Sequence, residues 1–147
     1  MSGKRVRISP GFLLMISLFL FLDESGVALC ILAACALHEG GHLIVLLAVG
    51  GRVKEFDLTL NGARIQTERG RGLSYEGELL AVLAGPGVNL MLAVACAGLG
   101  EKCYLFSGVN LALGIFNLLP LPGLDGGRTL RLLALLLKEE EKKRRKE

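Results

Sequence analysis

From Gly26 to Val49 the chain runs for 24 residues with almost nothing but apolar side chains, except at His38-Glu39-Gly40-Gly41-His42. These five positions hold both histidines of the chain and the only acidic residue of that run. Ionisable groups inside a long apolar segment are costly and are by default functional. On an α-helix, residues i and i+4 lie about 40° apart on one face and roughly 6 Å apart along the axis. Two imidazoles so spaced can converge on one Zn²⁺ at about 2.0–2.1 Å each. Glu39 stands about 100° round the helix from His38, so it can border the metal without binding it. That is the layout of a general base beside a metal-activated water, the mechanics behind H-E-x-x-H. The alternative is two buried histidines paired with Glu39 and no metal. That alternative leaves three polar side chains deep in an apolar helix without a reason.

Composition places this helix in a membrane. The 147 residues suffice for one domain, 1–147. Hydrophobic residues make up 52%, aromatics only 5%, and mean hydropathy is +0.52. The apolar content is aliphatic and gathered in long runs, which predicts a mainly α, polytopic membrane protein in contact with the lipid bilayer. A formal charge of +3 is too small to argue for nucleic acid, and none is expected as a partner. Cys30, Cys35, Cys96 and Cys103 form no C-x-x-C, so neither a zinc ribbon nor a disulfide framework is expected. Buried thiols are the ordinary reading for the first three. Lys4, Arg5 and Arg7 before an apolar run resemble a signal peptide, but Asp23-Glu24-Ser25-Gly26 offers no small-x-small cleavage site. The run reads as an uncleaved first membrane segment.

About four transmembrane segments follow in order. Residues 1–9 are a basic tail. Phe12–Leu22 with its flanks is about 13 residues, short for a span of ~17–25. Asp23–Gly26 turns the chain into the second segment, Gly26–Val49. His38 lies roughly 16 Å from the end of that segment, inside the hydrocarbon layer. The glycines at 40 and 41 weaken a helix interior and predict close approach of another helix or of a substrate backbone. In the polar stretch 50–78, alternation on both sides of Asn61-Gly62 predicts a β-hairpin at 53–67, between the second and third segments. Gly70-Arg71-Gly72 reads as a loop, and Ser74 with Gly77 as the start of the next helix. The third segment is about Glu78–Leu99. Gly85-Pro86-Gly87 should kink or unwind it at membrane depth, and Asn89 either bonds a neighbouring carbonyl there or serves the site. Gly100–Cys103 connects to a fourth segment, Tyr104–Leu119. Pro120 to Gly127 cannot be regular helix, and Asp125 can open a final C-terminal helix, Gly126–Leu137, as its N-cap. Lys138–Glu147 is a charged, solvated tail. Lys and Arg concentrate in the N-terminal tail, the 50–78 stretch and the C-terminal tail, which predicts a multi-pass protein of the cell membrane with both termini cytoplasmic.

A catalytic zinc ordinarily has three protein ligands and an open position. Asp125 is the only carboxylate between Lys102 and Lys138, so it is the candidate third ligand as well as a candidate helix cap. Three motifs in this order carry a resemblance. H38-E-G-G-H42, G85-P-G-V-N89 and N117-L-L-P-L-P-G-L-D-G-G127 are similar to those of the site-2 protease family of intramembrane zinc metalloproteases (peptidase family M50). The chain is most similar to the compact branch that includes stage IV sporulation protein FB. The resemblance covers about residues 8–137. It implies cleavage of a peptide bond within or beside a transmembrane segment of a membrane protein substrate, locally unwound at the cut. It implies zinc held by His38, His42 and Asp125, with Glu39 as catalytic base and acid. It implies that Asn89 and Asn117 bind the substrate backbone or support the site. The hairpin would add a strand to the unwound substrate. No paired CBS module or PDZ domain is visible after the final helix, so a separate membrane regulator is expected.

Two other readings compete. One is a catalytically inactive membrane binding protein of the same fold, which the intact Glu39 and ligand set argue against. The other is a metal transporter, disfavoured by four short segments without an evident repeat.

Overall fold

The computed structural model describes residues 5–59, 62–67 and 73–145. Lys4, the turn residue Asn61 and the 70–72 loop lie outside the described residues. Helix α1 spans Pro10–Leu22, with Ser9 accepting from the Phe12 N–H at 3.1 Å and Pro10 opening the first turn. Its 13 residues reach about 20 Å, short of a ~30 Å hydrocarbon layer. The turn after it is pinned by Asp23, which accepts from Ser25 and, at 2.8 Å, from the Ala28 N–H. The Ser25 hydroxyl and the Ala28 amide hold the Asp23 carboxyl below its usual range. Helix α2, Val27–Ala48, then rises for 22 residues, about 33 Å.

A small sheet follows where the polar stretch begins. Strand β2, Val53–Thr59, pairs antiparallel with β3, Gly62–Thr67. A third strand, β1, was not expected. Arg5–Ile8, read from the sequence as part of a basic tail, runs parallel to β2, with Arg5 opposite Glu55 and Ile8 opposite Leu58. The Arg-Val-Arg-Ile alternation suits an edge strand, and Arg7 pairs with Glu55 at 2.8 Å. The Ser9 N–H continues the ladder onto the Leu58 carbonyl at 2.9 Å.

Helix α3, Tyr75–Ala97, starts as the sequence predicts, with Ser74 accepting from the Gly77 N–H at 3.1 Å. Of the kink or unwinding expected at Gly85-Pro86-Gly87, the unwinding does not occur: α3 is one continuous helix through a buried Pro86. Proline removes one hydrogen bond from a helix, and here close packing of α3 on its neighbours holds the turn in place. A 3-10 turn, Glu101–Cys103, leads into α4, Tyr104–Asn117. Helix α5, Asp125–Arg144, begins at Asp125 itself, with Leu124 at the cap position, and extends beyond the expected end at Leu137. Glu139, Glu140 and Glu141 each precede a basic residue by four positions, the order that supports an exposed helix. All four cysteines are free and half-buried.

Helices α2, α3 and α4 form the centre, and α5 packs on α3. The core is built mostly of small residues, Ala28, Ala34, Ala81, Val82 and Ala93, with Leu46 and Leu132, whereas Leu14, Phe21, Leu29, Ile44, Met91 and Val94 point outward. That inverts the arrangement of a water-soluble domain. It fits a lipid solvent, where close packing of small side chains rather than burial of large ones joins helices. Two helices, α2 and α3, are long and apolar enough to cross a membrane; α1 and α4 are shorter. The protein is mainly helical and membrane-associated.

Candidate metal centre

Two carbonyl oxygens and two glycines fix where the histidines point. On α2, Gly41 faces α3 so closely that a Cβ there would stand 2.9 Å from the Ala84 carbonyl oxygen. Gly85 of α3 faces the His42 ring, and a Cβ there would overlap Nε2, Cε1 and Cδ2. This pair lets His42 lie close against α3 and donate Nδ1–H to the Ala81 carbonyl at 2.8 Å. Gly40, by contrast, has nothing within 4 Å and leaves that side of the motif open.

His38 is buried and turns its Nδ1 to the side-chain oxygen of Asn89. Asn89 is 0% exposed; its amide donates to the Ala34 carbonyl at 3.3 Å and to Asn110 Oδ1 at 2.8 Å. Both Nδ1 atoms therefore face acceptors, and both Nε2 atoms turn to the same point, 3.1 Å apart.

Asp125 arrives from the far end of the chain. After α4 the backbone folds back so that the Leu118 and Leu119 carbonyls press against Gly126, where a Cβ would collide with both. Glycine at 126 is what allows the first turn of α5 to enter the helix cluster. Asp125 then places Oδ2 3.1 Å from His38 Nε2 and 3.2 Å from His42 Nε2. The ligand atoms of His38, His42 and Asp125 all lie within 4.8 Å of one another, a group that could hold a metal ion.

A carbonyl oxygen and an amide oxygen only accept, so His38 and His42, when neutral, each carry the proton on Nδ1. Their Nε2 lone pairs then face each other and a carboxylate oxygen across 3.1–3.2 Å. Three acceptors so placed repel one another. A proton can bridge one edge of the triangle, whereas a small cation serves all three. Ligands at about 2.0–2.1 Å from a tetrahedral zinc are about 3.3 Å apart, close to the spacing seen. Two imidazoles and one carboxylate match the three-ligand set of catalytic zinc sites, and Zn²⁺ is the cofactor of this centre.

Glu39 stands beside the cluster and outside it, half-buried and within electrostatic range of His38, His42, Asp125 and Arg128. Arg128, one turn into α5, pairs with Glu78 of α3 at 3.4 Å in an exposed contact. Asn117 ends α4 and donates to the Leu113 carbonyl at 3.0 Å, so it does not join the hydrogen-bonded group around the histidines. Asn110 was not singled out in the sequence. The signal was there: it is an amide inside the apolar run Tyr104–Leu119, as unusual in that setting as Asn89.

Comparison with known proteins agrees with this geometry. Residues 97–147, which include the loop that delivers Asp125, match Peptidase family M50. The chain is 28% identical over 136 residues to stage IV sporulation protein FB of Bacillus subtilis, covering 88% of this chain and 47% of that protein. It is 31% identical over 105 residues to the zinc metalloprotease MJ0392 of Methanocaldococcus jannaschii, covering 65% of this chain and 30% of that protein. The solved site-2 protease from Methanocaldococcus jannaschii superposes with a TM-score of 0.68 at 26% identity, over 94% of this chain and 69% of that one. The chain thus spans about half or less of the length of these curated relatives.

Proposed function

This chain belongs to the M50 family of zinc metalloproteases, related to site-2 protease and stage IV sporulation protein FB, and on that premise we propose that residues 1–147 form one intramembrane metalloprotease domain. Its reaction is hydrolysis of a peptide bond within or next to a transmembrane segment of another membrane protein. The observation that carries this reading is the triangle of His38, His42 and Asp125 acceptors beside Glu39, with both histidines and Glu39 on an apolar helix of membrane length.

His38, His42 and Asp125 hold the metal. Zinc, when bound, supplies the Lewis acidity that makes water a nucleophile near neutral pH. The Glu39 carboxylate takes the proton of the attacking water and returns it to the leaving amide nitrogen. The open side at Gly40 supports approach of an extended backbone to this carboxylate. The substrate segment must unwind locally, since helical amides are already bonded, and an extended strand can then pair with β3. Asn117, at the mouth of the loop before Asp125, is the candidate for contact with the substrate backbone. Asn89 is enclosed and bonded on every side, which suits support of His38 better than contact with a substrate.

We place α1 and α4 in the membrane with α2 and α3, giving four segments and cytoplasmic termini, as the basic residues at both ends favour. The test is zinc stoichiometry on detergent-purified protein with Asp125→Ala alongside. One zinc per chain, lost or greatly weakened in the variant, is expected. Wild-type protein that binds no zinc after reconstitution would leave the inactive binding protein as the better reading.

A further inference from the structure

Asn110 lies 21 residues from Asn89 and touches neither histidine, yet the order of its hydrogen bonds reaches the metal centre. It is 0% exposed in α4. Its amide donates to the Phe106 carbonyl at 2.8 Å, and its oxygen accepts from Asn89 Nδ2 at 2.8 Å. A carbonyl cannot donate, so the Phe106 oxygen fixes which end of the Asn110 amide faces Asn89. The oxygen of Asn110 then demands a donor, which makes the facing atom of Asn89 its nitrogen. The Ala34 carbonyl, 3.3 Å from the same nitrogen, makes the same demand from α2. Asn89 must therefore turn its oxygen to His38, and His38 must answer with a proton on Nδ1. Both amides are oriented by backbone carbonyls, so neither can flip without leaving a buried N–H unpaired.

We infer that Asn110 is a positioning residue which, through Asn89, holds His38 in the tautomer with its lone pair on Nε2, toward the metal. The inference rests on the zinc reading for its purpose, but the tautomer itself does not depend on zinc. His42 supplies an internal control, because its Nδ1 proton goes to the Ala81 carbonyl and owes nothing to Asn110.

The chain holds only two histidines, so ¹⁵N spectra of their ring nitrogens in the full-length, detergent-solubilised protein are simple to read. Before zinc is added and at alkaline pH, the wild type should show two Nδ1–H imidazoles. Asn110→Leu keeps the volume and removes the acceptor. It should disturb one imidazole, leave the other unchanged, and weaken zinc binding about tenfold, the low end of the range for outer partners of a ligand. Asn110→Asp still offers Asn89 an acceptor oxygen and should stay within about threefold of wild type, below the low end of that range. The inference is overturned if Asn110→Leu leaves both the ring signals and zinc affinity unchanged. It is equally overturned if both imidazoles are disturbed together, which would mean a packing role only, or if wild-type His38 carries its proton on Nε2. Two Nδ1–H imidazoles with no zinc uptake would instead sink the metalloprotease reading and leave the relay intact.

Discussion

Replacing Gly85 by alanine puts the close approach of α3 to His42 under direct test. The added Cβ would overlap three atoms of the His42 ring, including Nε2, the atom turned to the metal. The ring cannot slide along the helix, because Nδ1 is tied to the Ala81 carbonyl one turn earlier on the same helix. The overlap must be relieved by moving the ring by about 1 Å or by separating α2 from α3; either is overpacking, at about 1–3 kcal/mol. If the whole strain falls on the ligand, zinc affinity drops about 5- to 150-fold, since 1.4 kcal/mol is tenfold. Gly87, two residues on, has nothing within 4 Å. Gly87→Ala should therefore keep zinc and gain helix stability, by up to about 1 kcal/mol. Competition against a chromophoric chelator measures both affinities, and thermal unfolding of zinc-loaded protein shows where the strain goes. Gly85→Ala with wild-type affinity and wild-type unfolding would refute the argument that glycine is required there by the imidazole.

Other outcomes follow from the same geometry. Glu39→Gln should retain one zinc and lose cleavage of a reconstituted membrane substrate by at least about 10²–10⁴-fold, the contribution of a general base; equal activity in the variant would remove Glu39 from the mechanism. Asp125→Ala removes a ligand rather than a ligand's partner, so its zinc affinity should fall by more than the ~10–100-fold typical of outer positions. The Asp23 carboxyl is held below its ordinary range, so its contribution is full above that range and is lost as pH falls through the lowered folded value. Amide exchange at Ala28, its bonded partner, should quicken over that acid window and not above it. Arg7→Ala breaks an ion pair with Glu55 that is exposed on the arginine side, at a cost of about 0–1 kcal/mol. Exchange at the β1–β2 ladder, including the Ser9 amide, should rise while zinc binding is unchanged.

Local patterns were enough to announce the site's first half. His38 and His42 share a face because a helix repeats every 3.6 residues, and nothing beyond α2 is needed for that. The Ser74 cap and the alternation around Asn61-Gly62 are equally local. The unwinding allowed for at Gly85-Pro86-Gly87 rested on local propensity too, and there the helix stays continuous. The β1 strand was hidden for a related reason: four residues are too few to signal a strand until β2 offers its edge.

The amino-acid sequence by itself determined that this is a membrane-associated helical protein with a paired-histidine motif at depth, because hydropathy and helix period act over neighbouring residues. Only the tertiary structure decided what completes the site. Asp125 is 83 and 87 residues from the two histidines. As a sequence position it could equally have capped α5. Packing of the 118–122 loop against Gly126 and Gly127 turned its carboxylate inward. Asn89 and Asn110 were amides in apolar runs until α2, α3 and α4 met and their backbone carbonyls fixed the direction of each hydrogen bond. Those choices depend on which groups are brought together and which way each can donate, and chain order does not specify either.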